Sequence, residues 1–249
     1  MIDNKRILGI IPARLESSRI HQKPLHKVFD IPLVEHVYRR ALKSSVLDEL
    51  IVATDSQIIA NHIESIGGKA VLTSESHRNP TERICEVIEN YKYDLYTLIN
   101  GDEILLNPDS IKLSIETLIS SDCDASLLVV PFSYKNSPSD FKVVINLKNE
   151  VMYISRNDIP SDSRNSVEKY LKAYHLMTFT PEILKIYAKL KKSPLEKIED
   201  HEHLRLLENG YSIITKTVND ECVSLDAIED LEIIEPLLIK DAIYKEYCK

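Results

Sequence analysis

The chain has 249 residues, 43% of them apolar and 28% charged, which is the composition of a soluble globular protein able to bury a large core. Its formal net charge of −8 argues against a broad nucleic-acid surface, though not against a local cationic pocket. No apolar run reaches the ~18 residues of a membrane-spanning helix, and residues 1–6 lead directly into an apolar strand with no room for a signal peptide, so the expectation is a cytoplasmic protein with no membrane partner.

Strand and helix patterns alternate from the start. Residues 7–12 read as a buried strand, followed by a polar loop and then a helix with Val34, Val37, Tyr38, Ala41 and Leu42 on one face. A second strand spans 49–54. Ile58, Ile59, Ile63 and Ile66 mark a helix that Gly67-Gly68 ends. A short strand at 70–72, a helix at 81–91, a strand at 96–99 and a helix from Asn107-Pro108 to about Ser120 follow. This series predicts an α/β fold, a mostly parallel sheet with helices on both faces and the strand ends on one edge. After about residue 125 the pattern turns to strands with short connections at 126–130, 142–146 and 151–154, then a polar segment at 155–169 and a strand at 173–179. Helices at 181–190 and 194–209, a strand at 212–218 and a helix from 227 to about 247, interrupted by Pro236, close the chain. The reading is one domain, 1–249, with a nucleotide-binding half at 1–125 and a smaller β-rich substrate and dimerisation half at 126–225.

The loop after the first strand carries the clearest chemistry. Arg14, Arg19 and Lys23 supply three positive charges within ten residues, with Ser17 and Ser18 between them. A first strand running into a cationic loop is where open α/β sheets hold polyphosphates. Asn100-Gly101-Asp102-Glu103 follows another strand directly. A carboxylate at a strand end facing a triphosphate loop suits Mg²⁺, although Asn-Gly is also a common turn pair. Asp226 is a candidate second carboxylate and equally an N-cap for the last helix. Cys85, Cys123, Cys222 and Cys248 lack C-x-x-C spacing, which excludes a zinc ribbon and a redox pair; Cys85 and Cys123 sit in apolar patterns and read as buried thiols. His201-Glu202-His203 lies within an expected helix, where residues two apart do not share a face, so shared metal ligation is not expected.

Taken in order, several segments resemble the 3-deoxy-manno-octulosonate (Kdo) cytidylyltransferase family. They are Ile11-Pro12-Ala13-Arg14 through Lys23-Pro24-Leu25, Val52-Ala53-Thr54-Asp55, His77 with Thr81-Glu82-Arg83, Gly101-Asp102-Glu103, Ser155-Arg156 with Ile159-Pro160, Glu202 with Leu204-Arg205, and Asp226 with Glu229-Asp230-Leu231. The resemblance implies a Rossmann-like nucleotidyltransferase fold and transfer of CMP from CTP to the anomeric hydroxyl of a 3-deoxy-2-keto sugar acid, Kdo or a close variant such as an amino-Kdo. It also implies pyrophosphate release, a Mg²⁺ cofactor, a homodimer, and a place in lipopolysaccharide or capsule biosynthesis. Carried over residue by residue, Arg14 and Lys23 hold CTP phosphates and, with Asp102, form the catalytic set. Ala13, Ser17, Ser18, Arg19, His77, Arg78, Thr81, Asn100 and Gly101 complete the nucleotide site. Asp102 and Asp226 bind Mg²⁺, and Arg156 and Glu202 face the sugar acid.

The chain also departs from that family. His21-Gln22 stand where a proline and a glycine are usual, Asn100 where glutamine is usual, Ile104 where proline is usual, and Asn79-Pro80 where a Ser-Gly pair is usual. The family's sugar-contacting histidine aligns with Ala173, a glycine with His175, a tyrosine with Phe179 and a glutamine with His203. The CTP half is thus kept and the acceptor half is rebuilt, with His175 and His203 as added groups suited to an anionic acceptor. Another acidic acceptor, or a non-catalytic paralogue, stays open as an alternative.

Overall fold

The structure is a computed structural model and describes residues 2–17, 19–137 and 139–248. Ser18, one of the expected loop residues, lies outside the described residues. The chain runs through β1 (Ile7–Ala13), a hairpin of β2 (Lys27–Val28) and β3 (Ile31–Pro32), α1 (Leu33–Ala41), β4 (Glu49–Thr54), α2 (Gln57–Ser65), β5 (Ala70–Leu72), α3 (Pro80–Asn90), β6 (Leu95–Ile99) and α4 (Pro108–Ile119). It continues through β7 (Ala125–Phe132), β8 (Lys142–Ile145), β9 (Val151–Ser155), β10 (Tyr170–Phe179), α5 (Pro181–Tyr187), α6 (Pro194–Glu199), α7 (Leu204–Glu208), β11 (Ile213–Thr217), α8 (Leu231–Lys240) and α9 (Ala242–Tyr247).

Among the described residues, one sheet has the strand order β11-β7-β10-β6-β1-β4-β5, and β8 and β9 pair beside β10. β1 is parallel to β4 and β6, β4 to β5, and β7 to β11, while β10 runs antiparallel to β6 and β7. The sheet is therefore mixed and mostly parallel. The late strands are continuous with it: β7, β10 and β11 extend the main sheet, and only the β8–β9 hairpin stands off.

Side chains alternate along β1, so its two faces feed two cores. Leu8 and Ile10 pack with Ile84 and Ile88 of α3 and Ile183 and Leu184 of α5. Ile7 and Ile11 pack with Val34 and Val37 of α1, Ile59 and Ile63 of α2, and Ile111 and Ile115 of α4. Asn-Pro and Thr-Pro pairs start three of these helices. Asn79 Oδ1 accepts from the Glu82 N–H at 2.8 Å, Asn107 Oδ1 from Asp109 N–H at 3.1 Å and Thr180 Oγ1 from Ile183 N–H at 3.3 Å. In each, the proline fills a first-turn position that has no intrahelical N–H bond to lose.

Four expectations change. Leu42 and Ile58 are 56% and 57% exposed, because α1 ends before Leu42 and Ile58 sits in the first turn of α2 on its outer side. Cys85 is buried as expected but Cys123 only partly. The helix expected over 194–209 is broken between α6 and α7, with Asp200 in the left-handed region at φ 51°. The last helix breaks at Asp241 and not at Pro236: Asp241 Oδ1 caps α9 by accepting from Tyr244 N–H at 2.7 Å, and the buried Arg40 guanidinium binds it at 2.8 Å.

A third apolar cluster joins Ile20, Leu33, Ile104, Leu105, Leu225, Ile234 and Leu238. It fastens α8 against both the loop after β1 and the loop after β6, and so bears directly on the site.

Candidate active site

β1 and β6 are parallel neighbours with Ile10 opposite Leu98, so Ala13 and Asn100 leave the sheet at the same edge. The two loops touch. A Cβ on Gly101 would lie 3.0 Å from the Pro12 carbonyl oxygen, so glycine there allows a close approach to β1. Arg40, 1% exposed, donates to the Leu106 carbonyl at 2.6 Å and the Leu105 carbonyl at 3.2 Å, fixing the loop that follows Asp102. The backbone N–H of Leu225 donates to the Asp102 carbonyl at 3.1 Å. That bond brings Asp226 alongside.

Lys23 then lies between two carboxylates. Its Nζ is 2.7 Å from Asp102 Oδ2 and 3.0 Å from Asp226 Oδ1, and Arg19 binds Asp226 Oδ1 at 2.8 Å. Burial pushes the Lys23 ammonium down, but the charges of Asp102 and Asp226 outweigh it and hold its pKa above the ordinary value. Burial likewise pushes Asp102 up, and the Lys23 charge wins, keeping it ionised. The adjacent Glu103 forms no ion pair among the described residues, and the charge of Lys172 offsets its burial only in part. Burial, then the Asp102 charge, push it up to about 8, while Ser224 Oγ donates to it at 2.7 Å. The N-cap alternative for Asp226 does not hold: Asp230 Oδ2 accepts from the N–H groups of Asp226 and Ala227 at 2.7 Å, leaving the Asp226 side chain on Lys23. Lys23 opens a short 3₁₀ turn, and Gln22 before it is left-handed at φ 49°.

Two carboxylates converging on one cation are hard oxygen donors that fit Mg²⁺. Among the described residues no group of three or more acidic, His or Cys side chains is placed to hold a metal. A divalent ion here would draw its remaining ligands from a substrate's phosphates and from water.

Above the cluster, Arg14 is exposed and forms no ion pair among the described residues. Asp55 Oδ1 accepts from Leu15 N–H at 3.1 Å, and its other oxygen holds Arg83 at 2.9 Å, so β4 shapes the cationic loop. His77 bonds Glu86, and the N–H of the exposed Arg78 donates to Glu82 at 3.0 Å.

The opposite wall comes from β10 and the α6–α7 break. β10 shifts register between Ala173 and Met177, and His175 within that bulge is left-handed at φ 54°. That conformation suits glycine and is several-fold enriched in histidine among other residues. The break at Asp200 turns His201, Glu202 and His203 inward. The rings of His201 and His203 are 5.0 Å apart, and those of His175 and His201 are 6.0 Å apart. Burial pushes His175 down to about 4 and His201 well below its ordinary value. Both therefore favour the uncharged ring at neutral pH. Glu202 Oε1 accepts from Thr81 Oγ1 at 2.6 Å and lies 3.3 Å from His203 Nε2.

These parts line one cavity of about 380 Å³. Ala13, Arg14, Ser17, Arg19, Lys23, His77, Arg78, Asn100, Gly101 and Asp102 face His175, Glu202 and His203 across it. Three expected residues stand behind the lining. Thr81 is buried under Glu202, Asp226 is reached through Lys23, and Arg156 stacks at 4.3 Å on Phe141 while bonding the Glu199 carbonyl at 2.9 Å. His201, not expected to contribute, is part of the wall. Its only sequence signal is the weak helix propensity of Asp200-His201.

The sequence profile of the cytidylyltransferase family matches residues 8–217. The chain belongs to that family. This cytidylyltransferase is 37% identical over 233 residues to the 3-deoxy-manno-octulosonate cytidylyltransferase of Fusobacterium nucleatum, covering 91% of this chain and 94% of that one. It is 34% identical over 241 residues to the mitochondrial 3-deoxy-manno-octulosonate cytidylyltransferase of Arabidopsis thaliana, covering 94% and 83%. The solved structure of CMP:2-keto-3-deoxy-manno-octonic acid synthetase complexed with CTP superposes with a TM-score of 0.89 at 30% identity, covering 94% of this chain and 99% of that one. The nucleotidyltransferase fold is thus shared along nearly the whole cytidylyltransferase. Among its described residues no helix is long and apolar enough to cross a membrane.

Proposed function

We propose that this enzyme transfers CMP from CTP to the anomeric hydroxyl of Kdo or a close relative, releasing pyrophosphate. The observation that carries the reading is the single cavity with the Arg14–Lys23 loop and the Asp102–Asp226 pair on one side and Glu202 among histidines on the other. In-line displacement at the α-phosphorus needs charge neutralisation and positioning more than covalent help.

In this reading Arg14, which has no carboxylate partner among the described residues, binds the triphosphate and leads it into the loop. Lys23 moves its ammonium from Asp102 and Asp226 onto the phosphate oxygens and neutralises charge gathering on the departing pyrophosphate. Asp102 and Asp226, released from Lys23, hold Mg²⁺. Held there, a divalent ion would supply charge neutralisation and make an acceptor hydroxyl more acidic. Glu202, fixed by Thr81, orients acceptor hydroxyls. Arg156 is held by the carbonyl of Glu199 and by Asp200, 3.3 Å away. It braces Phe141 and the α6–α7 break from behind. The chain acts as one cytidylyltransferase domain, with residues 1–125 serving CTP and 126–225 serving the acceptor and the contact between two copies. Exposed Leu147 and Met152 on the β8–β9 hairpin support that pairing, and light scattering on the purified protein tests it.

The decisive assay is pyrophosphate release from CTP and Mg²⁺ with Kdo and a panel of other acidic sugars, with Asp102→Ala as control. Release with Kdo that Asp102→Ala abolishes is the expected result. Release only with another acid would reassign the acceptor, and neither release nor CTP binding would overturn the reading.

A further inference from the structure

The α6–α7 break places unspent hydrogen-bonding capacity in the acceptor wall. His201 is 4% exposed and neither of its ring nitrogens has a hydrogen-bond partner among the described residues; Nδ1 is fully buried. His203 is 2% exposed, with Nε2 beside Glu202 and Thr81 and Nδ1 unpartnered. The His175 ring makes no hydrogen bond to the described residues and contacts Phe141 edge-on, the ring centroids 5.8 Å apart. Buried polar atoms without partners are uncommon and expensive, which points to a ligand that completes them.

We propose that His201, with His175 and His203, is a specificity-determining residue that hydrogen-bonds the hydroxyl-bearing part of the acceptor, and that the acceptor's carboxylate binds elsewhere in the cavity. This rests on the sugar-acid reading above. The geometry argues against an anionic group at this wall. The carboxylate beside His203 belongs to Glu202, and no lysine or arginine among the described residues pairs with it. A second carboxylate would meet that charge uncompensated. The charged and titratable groups facing His201 are Arg156, His175 and His203; those facing His175 are Asp102, Asp226, Lys172 and His203. An uncharged imidazole has one donor and one acceptor nitrogen, and a sugar hydroxyl can meet either.

The test compares wild type with His201→Leu and His201→Asn. His201→Leu is expected to raise KM for Kdo about tenfold while KM for CTP is unchanged, and His201→Asn to recover part of the loss. Kdo binding to the enzyme with an unreactive α,β-methylene CTP, measured calorimetrically in two buffers of different ionisation enthalpy, is expected to show no proton uptake. An unchanged KM for Kdo in His201→Leu would overturn the inference alone. So would proton uptake that His201→Leu abolishes, because the ring would then bind an anion as a cation. A wild-type enzyme that releases no pyrophosphate with Kdo would instead overturn the sugar-acid reading, and this inference with it.

Discussion

The backbone N–H of Leu225 donates to the carbonyl oxygen of Asp102 across 123 positions of sequence, at 3.1 Å. Because the bond uses main-chain atoms, it fixes the two segments whatever their side chains do. Asp226 reaches Lys23 as a result. Leu225 is fully buried with Ile20, Ile104 and Ile234, so burial holds the bond in place. Leu225→Ala should destabilise the fold by about 2–5 kcal/mol. It should also raise the Mg²⁺ concentration for half-maximal rate, since Asp226 loses its anchor. Urea unfolding and a Mg²⁺ titration of turnover check the two effects.

Lys23 sits where a divalent ion would sit, between Asp102 and Asp226. Without nucleotide the ammonium competes for those oxygens. Lys23→Met should therefore bind Mn²⁺ about tenfold or more tightly in the absence of CTP, by electron paramagnetic resonance titration. The same variant should lose roughly 10²-fold or more in turnover, because the phosphates lose their cation. Equal Mn²⁺ affinity in wild type and variant would show that the ammonium does not block the site.

Arg40 is a buried cation that serves three segments at once: α1, the Leu105 and Leu106 carbonyls, and Asp241 before α9. Removing one partner of a buried pair leaves the other uncompensated. Arg40→Met should cost about 3–5 kcal/mol. Loss of α9 docking should accompany it, read as faster amide exchange over residues 242–247.

His175 holds a left-handed backbone that glycine adopts freely. His175→Gly should relieve about 1–2 kcal/mol of backbone strain, offset in part by the greater freedom glycine has when unfolded. It should also weaken Kdo binding through loss of the ring. Thermal unfolding and KM for Kdo separate the two.

The same residue sets a pH dependence. Unfolded, an imidazole takes up its proton near pH 6.5; folded, His175 takes it up only at about 4. Between those values the unfolded chain binds more protons, so stability falls as pH falls from about 6.5 to 4, and this contribution is constant above that window. His201 acts in the same direction. The denaturant midpoint of wild type should drop through this range more steeply than that of His175→Gly. Parallel curves would mean that the ring is already protonated in the folded protein.

The alternating strands and helices, the cationic loop, and the Asp102 turn were legible in the sequence because each rests on local pattern: apolar period, capping pairs such as Asn107-Pro108, and charge density over ten residues. Asp226 could not be placed the same way, since a helix-capping carboxylate and one facing Lys23 look alike until the Leu225–Asp102 bond is seen. The wall around His201 was illegible for a sharper reason. The 194–209 stretch has no proline or glycine inside its final turns to announce a break, and an unbroken helix would point His201 and His203 to different faces. Only the left-handed turn at Asp200, fixed by packing of α6 and α7 and by the Arg205 bonds to Glu196 at 2.6 Å and Glu82 at 3.0 Å, turns both rings into the cavity. Local sequence thus determined the elements and the density of positive charge in the loop after β1. Which side chains meet across the cavity, and which histidines lose their charge, was decided by burial and by contacts between residues far apart in the chain, and those exist only in the folded protein.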